Sequence, residues 1–408
     1  MTPLLTTYHP TLVPYLTGNS TWNGQIDLTI LNEGFSYSAK INSELTDVSS
    51  TLPAPFAKDK EQTLPLQVIS QGNQRASSVQ INLGEAIEFN GNFPHQDMQF
   101  SRAHLAIGDA ELVGMGLGFS ISANLPELDV TQWYQVLDSL ITDIPATEEP
   151  LLLEAPKRIF INADTVLLGG QRLTDLDMVA KNTSDSWLLD VNAKQTRMEV
   201  AIYKDWLGKG ININADFIQL AEWVSDDAEQ DDLFAPSYQS LPPISFSCAR
   251  CSYLENDLGK IDIKLSRAST GMRIDNIRLK NSDGLINAEG DWFLANGKSS
   301  TRLIGEFSSS DFGAFLTGFN FNSGIKDSEA SSNFDLSWQK APYEFNFETL
   351  NGDVDWHLSD GYLTEVTDKG SRIFSLLSLE SLVRKLTLDF RDVFAKGFFY
   401  DKIDGSLE

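Results

Sequence analysis

The chain has 408 residues, with 31 Lys and Arg against 57 Asp and Glu, a formal net charge of −26 and a pI of about 4.4. That balance excludes a nucleic-acid backbone as partner, because phosphate contacts need clustered cations. Hydrophobic residues at 41% and aromatics at 10% exclude a disordered acidic chain, and no run approaches the roughly 18 to 20 uninterrupted apolar residues of a membrane-spanning helix.

The opening Met1 to Pro10 lacks the charged, apolar and small-residue regions of a secretory signal. The chain therefore reads either as cytosolic or as a fragment whose targeting segment lies elsewhere. From Trp22 onward the dominant pattern has period two, the mark of strands with one apolar face. Ile26, Leu28 and Ile30 alternate with polar residues, as do Val79, Ile81 and Leu83, then Met198, Val200 and Ile202. Further along the same pattern covers Ile261, Ile263 and Leu265, then Phe334, Leu336 and Trp338, then Val354, Trp356 and Leu358. Asn90-Gly91, Gly169-Gly170, Asn296-Gly297, Asn351-Gly352 and Asp360-Gly361 read as tight turns between strands. Short strands with tight turns predict a mainly β fold, an antiparallel sheet built by meander. Three short helices are expected behind capping aspartates at Asp129, Asp216 and Asp311. Two stretches, 142–157 and 225–243, are rich in Pro and acidic residues and read as surface loops. They divide the chain into segments 1–141, 158–224 and 244–372, followed by 373–408.

Chemistry is not announced. No Gly-x-Ser-x-Gly elbow, His-Glu-x-x-His helix or Walker loop occurs. Gly114, Gly116 and Gly118 alternate with Met115, Leu117 and Phe119, which is a strand with one nearly bare face rather than a phosphate cradle. The four histidines, His9, His95, His104 and His357, are scattered and have no companion at metal-ligand spacing. Neither a catalytic residue, a metal ligand nor a cofactor is predicted. Cys248-Ala-Arg-Cys251 has three readings. Zinc would need a second ligand pair, which the chain lacks; a redox pair would need a helix N-terminus, whereas Pro242-Pro243-Ile-Ser-Phe-Ser leads in as an extended segment. The third is a local disulfide pinning a turn, worth about 2 kcal/mol in an oxidising compartment.

The C-terminal region carries a different signal. Gly370-Ser-Arg372-Ile-Phe374 leads through Leu376, Leu377, Leu379, Leu382, Val383 and Leu386 into Leu388-Asp389-Phe390-Arg391 and Lys396-Gly397-Phe398-Phe399-Tyr400-Asp401. This resembles the signature region of the AsmA-like family. Gly290-Asp-Trp292, Asp311-Phe312-Gly313, Leu336-Ser-Trp338 and the opening Pro14-Tyr15-Leu16 with Trp22-Asn-Gly24 are similar to the same family more loosely. The resemblance implies a periplasmic protein of a Gram-negative envelope, anchored in the inner membrane by an N-terminal helix absent from this chain, which is then a central-to-C-terminal fragment. It further implies a bridge-type lipid carrier: an elongated, curved β-sheet forming an apolar groove, with phospholipid acyl chains as partner and contacts to both membranes and to unidentified envelope proteins through other parts. The groove candidates are the alternating apolar residues named above, from Ile26 to Leu358. About twenty strands at about 4.8 Å would span roughly 95 Å, a bridging length.

Periodicity alone cannot separate such a groove from a β-sandwich scaffold whose apolar face is covered by a second sheet. An outer-membrane barrel would show more regular strands and aromatic girdles. The amphipathic stretch from Ile373 to Leu386, which includes Phe374, is expected to be a helix, either a lid in the groove or one packed on the sheet as any amphipathic helix is.

Overall fold

The computed structural model describes residues 10–110, 116–134, 136, 152–221, 241–254, 256–295, 298–319, 324–346, 348–363 and 398–407. The expected helix at 373–386 and most of both Pro-rich stretches lie outside these residues. The chain is mostly β and divides into two compact units, Met1–Lys194 and Gln195–Glu408.

The first unit holds β1 (Leu16–Gly18), β2 (Trp22–Ile30), β3 (Phe35–Ser43), β4 (Val48–Ser50), β5 (Leu66–Asn73), β6 (Ala76–Leu83), β7 (Ile87–Pro94) and β8 (Arg102–Gly108). It continues with β9 (Gly118–Asp129), a short helix α1 (130–134), β10 (Arg158–Leu168), β11 (Gln171–Asn182) and β12 (Ser186–Ala193). The second unit holds β13 (Thr196–Tyr203), β14 (Ile211–Leu220), β15 (Ile244–Tyr253), β16 (Asn256–Ala268), β17 (Gly271–Lys280), β18 (Gly284–Ala295) and β19 (Lys298–Ser309). After these come helix α2 (Phe312–Gly318), β20 (Ile325–Lys326), β21 (Glu329–Gln339), β22 (Asn351–Leu363) and β23 (Phe398–Leu407).

Strands pair almost entirely in chain order. The sheet is mixed rather than purely antiparallel, because β8–β9, β9–β10 and β14–β15 are parallel. Parallel neighbours need a crossover that returns the chain to its starting edge. The connections 109–117, 130–157 and 221–243 join those parallel neighbours. The two compact units meet in sequence between Lys194 and Gln195. A separate two-stranded ribbon, β1 with β4, is the only second sheet among the described residues. Its three-residue strands cannot cover the large sheet as a sandwich would.

Local signals explain some elements. Gly169 and Gly170, both with positive φ, close the β10–β11 hairpin in the two-residue geometry that only such residues enter without strain. Asp129 accepts from the Gln132 N–H at 3.0 Å and caps α1; Asp311 accepts from the Ala314 N–H at 2.9 Å and caps α2. Asp216 does not cap a helix. It lies inside β14 as the extra residue of a bulge opposite Arg197 and Met198, because ladder bonds to β13 and β15 outweigh one turn of helix. Asn90-Gly91 and Asp360-Gly361 lie within β7 and β22 and are not turns between strands. Gly91 is there for clearance: a Cβ on it would meet the Phe100 ring at 2.6 Å.

Cys248 and Cys251 are joined Sγ to Sγ on β15, across a bulge and not around a turn. Residues three apart on a regular strand face opposite sides. Between these two, β15 has one residue more than β16, so both sulfurs come to the same buried side with Ala215 and Leu258. We expect both thiols of protein taken from an oxidising compartment to resist alkylation until reduced, and Cys248→Ser with Cys251→Ser to cost about 2 kcal/mol in denaturant unfolding. Free modification of both in the unreduced protein would contradict the pairing.

Candidate functional site: an apolar sheet face

Register determines which side chains share a face, because a strand alternates sides at every residue. In the first unit Ile26, Leu28 and Ile30 of β2 stand beside Ala39, Tyr37 and Phe35 of β3. Ile41 and Ser43 then meet Val68 and Leu66, which meet Ile81 and Leu83 of β6. The same face continues through Phe89 and Ile87 to Leu105 and Ile107, then to Ile121 and Ala123, Ile159 and Ile161, Ala180 and Met178, and Leu189 and Val191 of β12. The opposite face carries Asp27, Lys40, Gln67, Gln80, Glu88 and Arg102. One side of this unit's large sheet carries apolar residues on every strand from β2 to β12 except β4, which belongs to the ribbon, and the other is mainly polar, with Ile69, Phe160, Val179 and Leu188 among the exceptions.

The second unit repeats the segregation. Met198, Val200 and Ile202 of β13 meet Ala215, Ile213 and Ile211, which meet Cys248, Phe246 and Ile244. Ile261, Ile263 and Leu265 follow on β16, then Leu279, Ile277 and Ile274, then Ile286 and Ala288 with Gly290. Phe307 and Leu303 lead to Leu336, Phe334, Val354, Trp356 and Leu358, and Ile403 and Leu407 end the row. A bulge in β17 between Ile274 and Ile277, which shifts its register against both β16 and β18, keeps the apolar residues in phase.

All eighteen alternating residues predicted from sequence thus fall on the apolar face of their own unit, but they are not equally open. Ile26, Leu28 and Ile30 are 75%, 61% and 80% exposed, which no residue of a closed core would be. Val79, Ile81, Leu83, Met198, Val200, Ile202, Ile261, Ile263, Leu265, Phe334, Leu336 and Val354 are half-buried. Trp338, Trp356 and Leu358 are buried, the last two in a cluster with Ile325, Ala330 and Tyr400. Reading the sequence missed Phe89, Leu105, Ile161, Met178 and Leu189. In β10 the run Ile159-Phe160-Ile161 is apolar on both sides, and in β7 the Asn90-Gly91 pair imitates a turn directly after Phe89.

Some charges of the polar faces form ion pairs. Arg302 forks onto Asp335 at 2.8 and 2.6 Å, and this hydrogen-bonded guanidinium holds the carboxyl below the usual carboxylate range. Among the described residues no group of three His, Cys, Asp or Glu side chains is arranged to hold a metal. His104 is fully buried, hydrogen-bonded through both ring nitrogens to Ser120 at 2.8 Å and Ser122 at 2.9 Å. Burial pushes its pKa below the ordinary 6.5, against the opposing pull of Glu88. Below about pH 6.5 the unfolded chain therefore takes up a proton that the folded ring refuses. Stability is full above that pH and declines as pH falls through the folded pKa. Urea midpoints at about pH 7.5 and about pH 5 should differ for the native chain and less for His104→Gln; equal differences would rule out His104 as the source.

Each unit thus presents, among the described residues, a face with apolar side chains on strand after strand. A family model described as YhdP protein matches residues 1–408. The chain belongs to the YhdP family. A curated relative, the intermembrane phospholipid transporter YhdP of Escherichia coli (strain K12), is 24% identical over 400 residues, or 95% of this chain and 31% of the relative. The chain thus spans about a third of the length of that YhdP relative. No solved structure matches it. Nor is any helix among the described residues long and apolar enough to cross a membrane.

Proposed function

We propose that this chain is a non-enzymatic module that carries phospholipid along its apolar faces, in the periplasm, as part of a passage between inner and outer membranes. The observation that carries this reading is the register: in each unit the paired strands of the large sheet line up a continuous row of apolar residues on one side. Acyl chains would exchange water for that wall at about 0.8 kcal/mol per methylene, while head groups stay in solvent. Because the apolar residues continue from strand to strand, a chain can advance by small steps, each exchanging one apolar contact for another. Direction would come from a lipid gradient or an outside energy source. The relative's name supports phospholipid as cargo and an envelope location.

The test is organic extraction of the purified chain followed by lipid mass spectrometry. Copurifying phospholipid in stoichiometric amount is expected. A lipid-free chain that also fails to take up phospholipid from vesicles would overturn the reading.

A further inference from the structure

In the Gln195–Glu408 unit the apolar face is bounded at both strand ends by chain that rises on the same side. At one end α2 runs across the strands. Its Phe312 packs on the Trp356 and Leu358 cluster, and its Phe315 lies 4.8 Å ring to ring from Phe307 of β19. Phe315 also sits over Gly284 of β18, where a Cβ would come within 2.5 Å of the ring. Phe319, just past the helix, packs on the cluster of Cys251 and Leu258.

At the other end the segment 341–345 does the same. Ala341 is buried with Met272, Ile274 and Trp292, and its carbonyl accepts the Trp338 indole N–H at 3.1 Å. Tyr343 stands edge-on to Trp292 and Phe345 to Trp338, with centroids 6.0 and 5.1 Å apart.

Between these walls the floor is narrow. Ile286 with Phe307 lies at the α2 end, and Trp292 with Thr301 at the other; only two cross-strand pairs separate them, Ala288 with Gly305 and Gly290 with Leu303. Two rows at about 6.6 Å each leave about 13 Å of open width. Extended acyl chains lying side by side along the face, in van der Waals contact, need about 4 to 5 Å apiece. Two fit with little to spare, and four do not.

We propose that α2 and the segment 341–345 are side walls that set this face to the width of one diacyl lipid and so exclude tetra-acyl lipids. The inference rests on the lipid-carrying reading above and specifies which lipids pass.

The full chain would be incubated with mixed vesicles of phosphatidylglycerol and cardiolipin bearing identical acyl chains, recovered and extracted. Diacyl lipid should be enriched roughly tenfold over the vesicle composition. Tyr343 and Phe345 are 70% and 45% exposed, so Tyr343→Ala with Phe345→Ala should keep the circular dichroism of the native chain while the enrichment drops severalfold. Phe319→Ala opens the opposite wall and should act the same way. Loading of both lipids at the vesicle ratio, or enrichment unchanged in both wall variants, would overturn the walls and leave the lipid reading intact. Absence of both lipids from the native chain would instead remove the lipid reading, and this inference with it.

Discussion

Val200→Asp is expected to empty the chain of lipid and leave it folded, whereas Ala201→Asp should leave both lipid and fold unchanged. Val200 pairs with Ile213 on the apolar face and Ala201 with Asn212 on the polar one, so adjacent positions probe opposite sides of the same strand. Val200 is half-buried, and an aspartate there can turn its carboxylate toward water at a modest cost of about 1 to 3 kcal/mol. Acyl chains have no such freedom. Three or four methylenes held off the wall at about 0.8 kcal/mol each amount to a roughly 100-fold loss of lipid retention or transfer. Thermal unfolding and extracted lipid, measured on both variants, decide the matter. A folded Val200→Asp chain with its full complement of lipid would show that this part of the face carries none, and an unfolded one would mean that the face is a closed core.

The second large effect contrasts two leucines of the apolar faces. Leu358 is 2% exposed and packs with Ile325, Trp356 and Tyr400. Truncation to Ala there removes contacts on all sides and should cost about 2 to 5 kcal/mol. Leu28 is 61% exposed on β2, and Leu28→Ala should cost less than about 1 kcal/mol while still reducing apolar wall. Denaturant unfolding of both variants provides the comparison. Equal costs would mean that the β2 side is as well covered as the α2 side.

These contrasts mark where sequence reading succeeds and where it stops. Alternation in β2, β6, β13, β16, β21 and β22 is strict enough that every predicted residue falls on the apolar side, because a half-covered sheet leaves no other pattern stable. Strand direction has no local signature, so the parallel joints at β8–β9, β9–β10 and β14–β15 were invisible beside the hairpins. Capping and turn residues were read correctly where nothing competed, at Asp129, Gly169-Gly170 and Asp311. They misled at Asp216 and Asn90-Gly91, where ladder pairing or a nearby ring decides the role of the residue. Which apolar residues are sheltered is a tertiary fact: nothing within Trp356-His357-Leu358 reveals that α2 lies over them while Ile26-Asp27-Leu28 stays bare.

The three parallel joints also bear on how the chain acquires its structure. Hairpin neighbours joined by short turns can zip together one after another, whereas the parallel joints β9–β10 and β14–β15, like the antiparallel joints β3–β5, β19–β21 and β22–β23, must first close longer stretches of chain. Within the first unit, β5 to β8 then form one rapidly assembled block and β10 to β12 another; within the second, β15 to β19 form a block onto which β13 with β14 and the strands from β21 onward dock later. Under mild denaturant, amide exchange should release the chain in those same pieces, breaking at the joints before the hairpins melt.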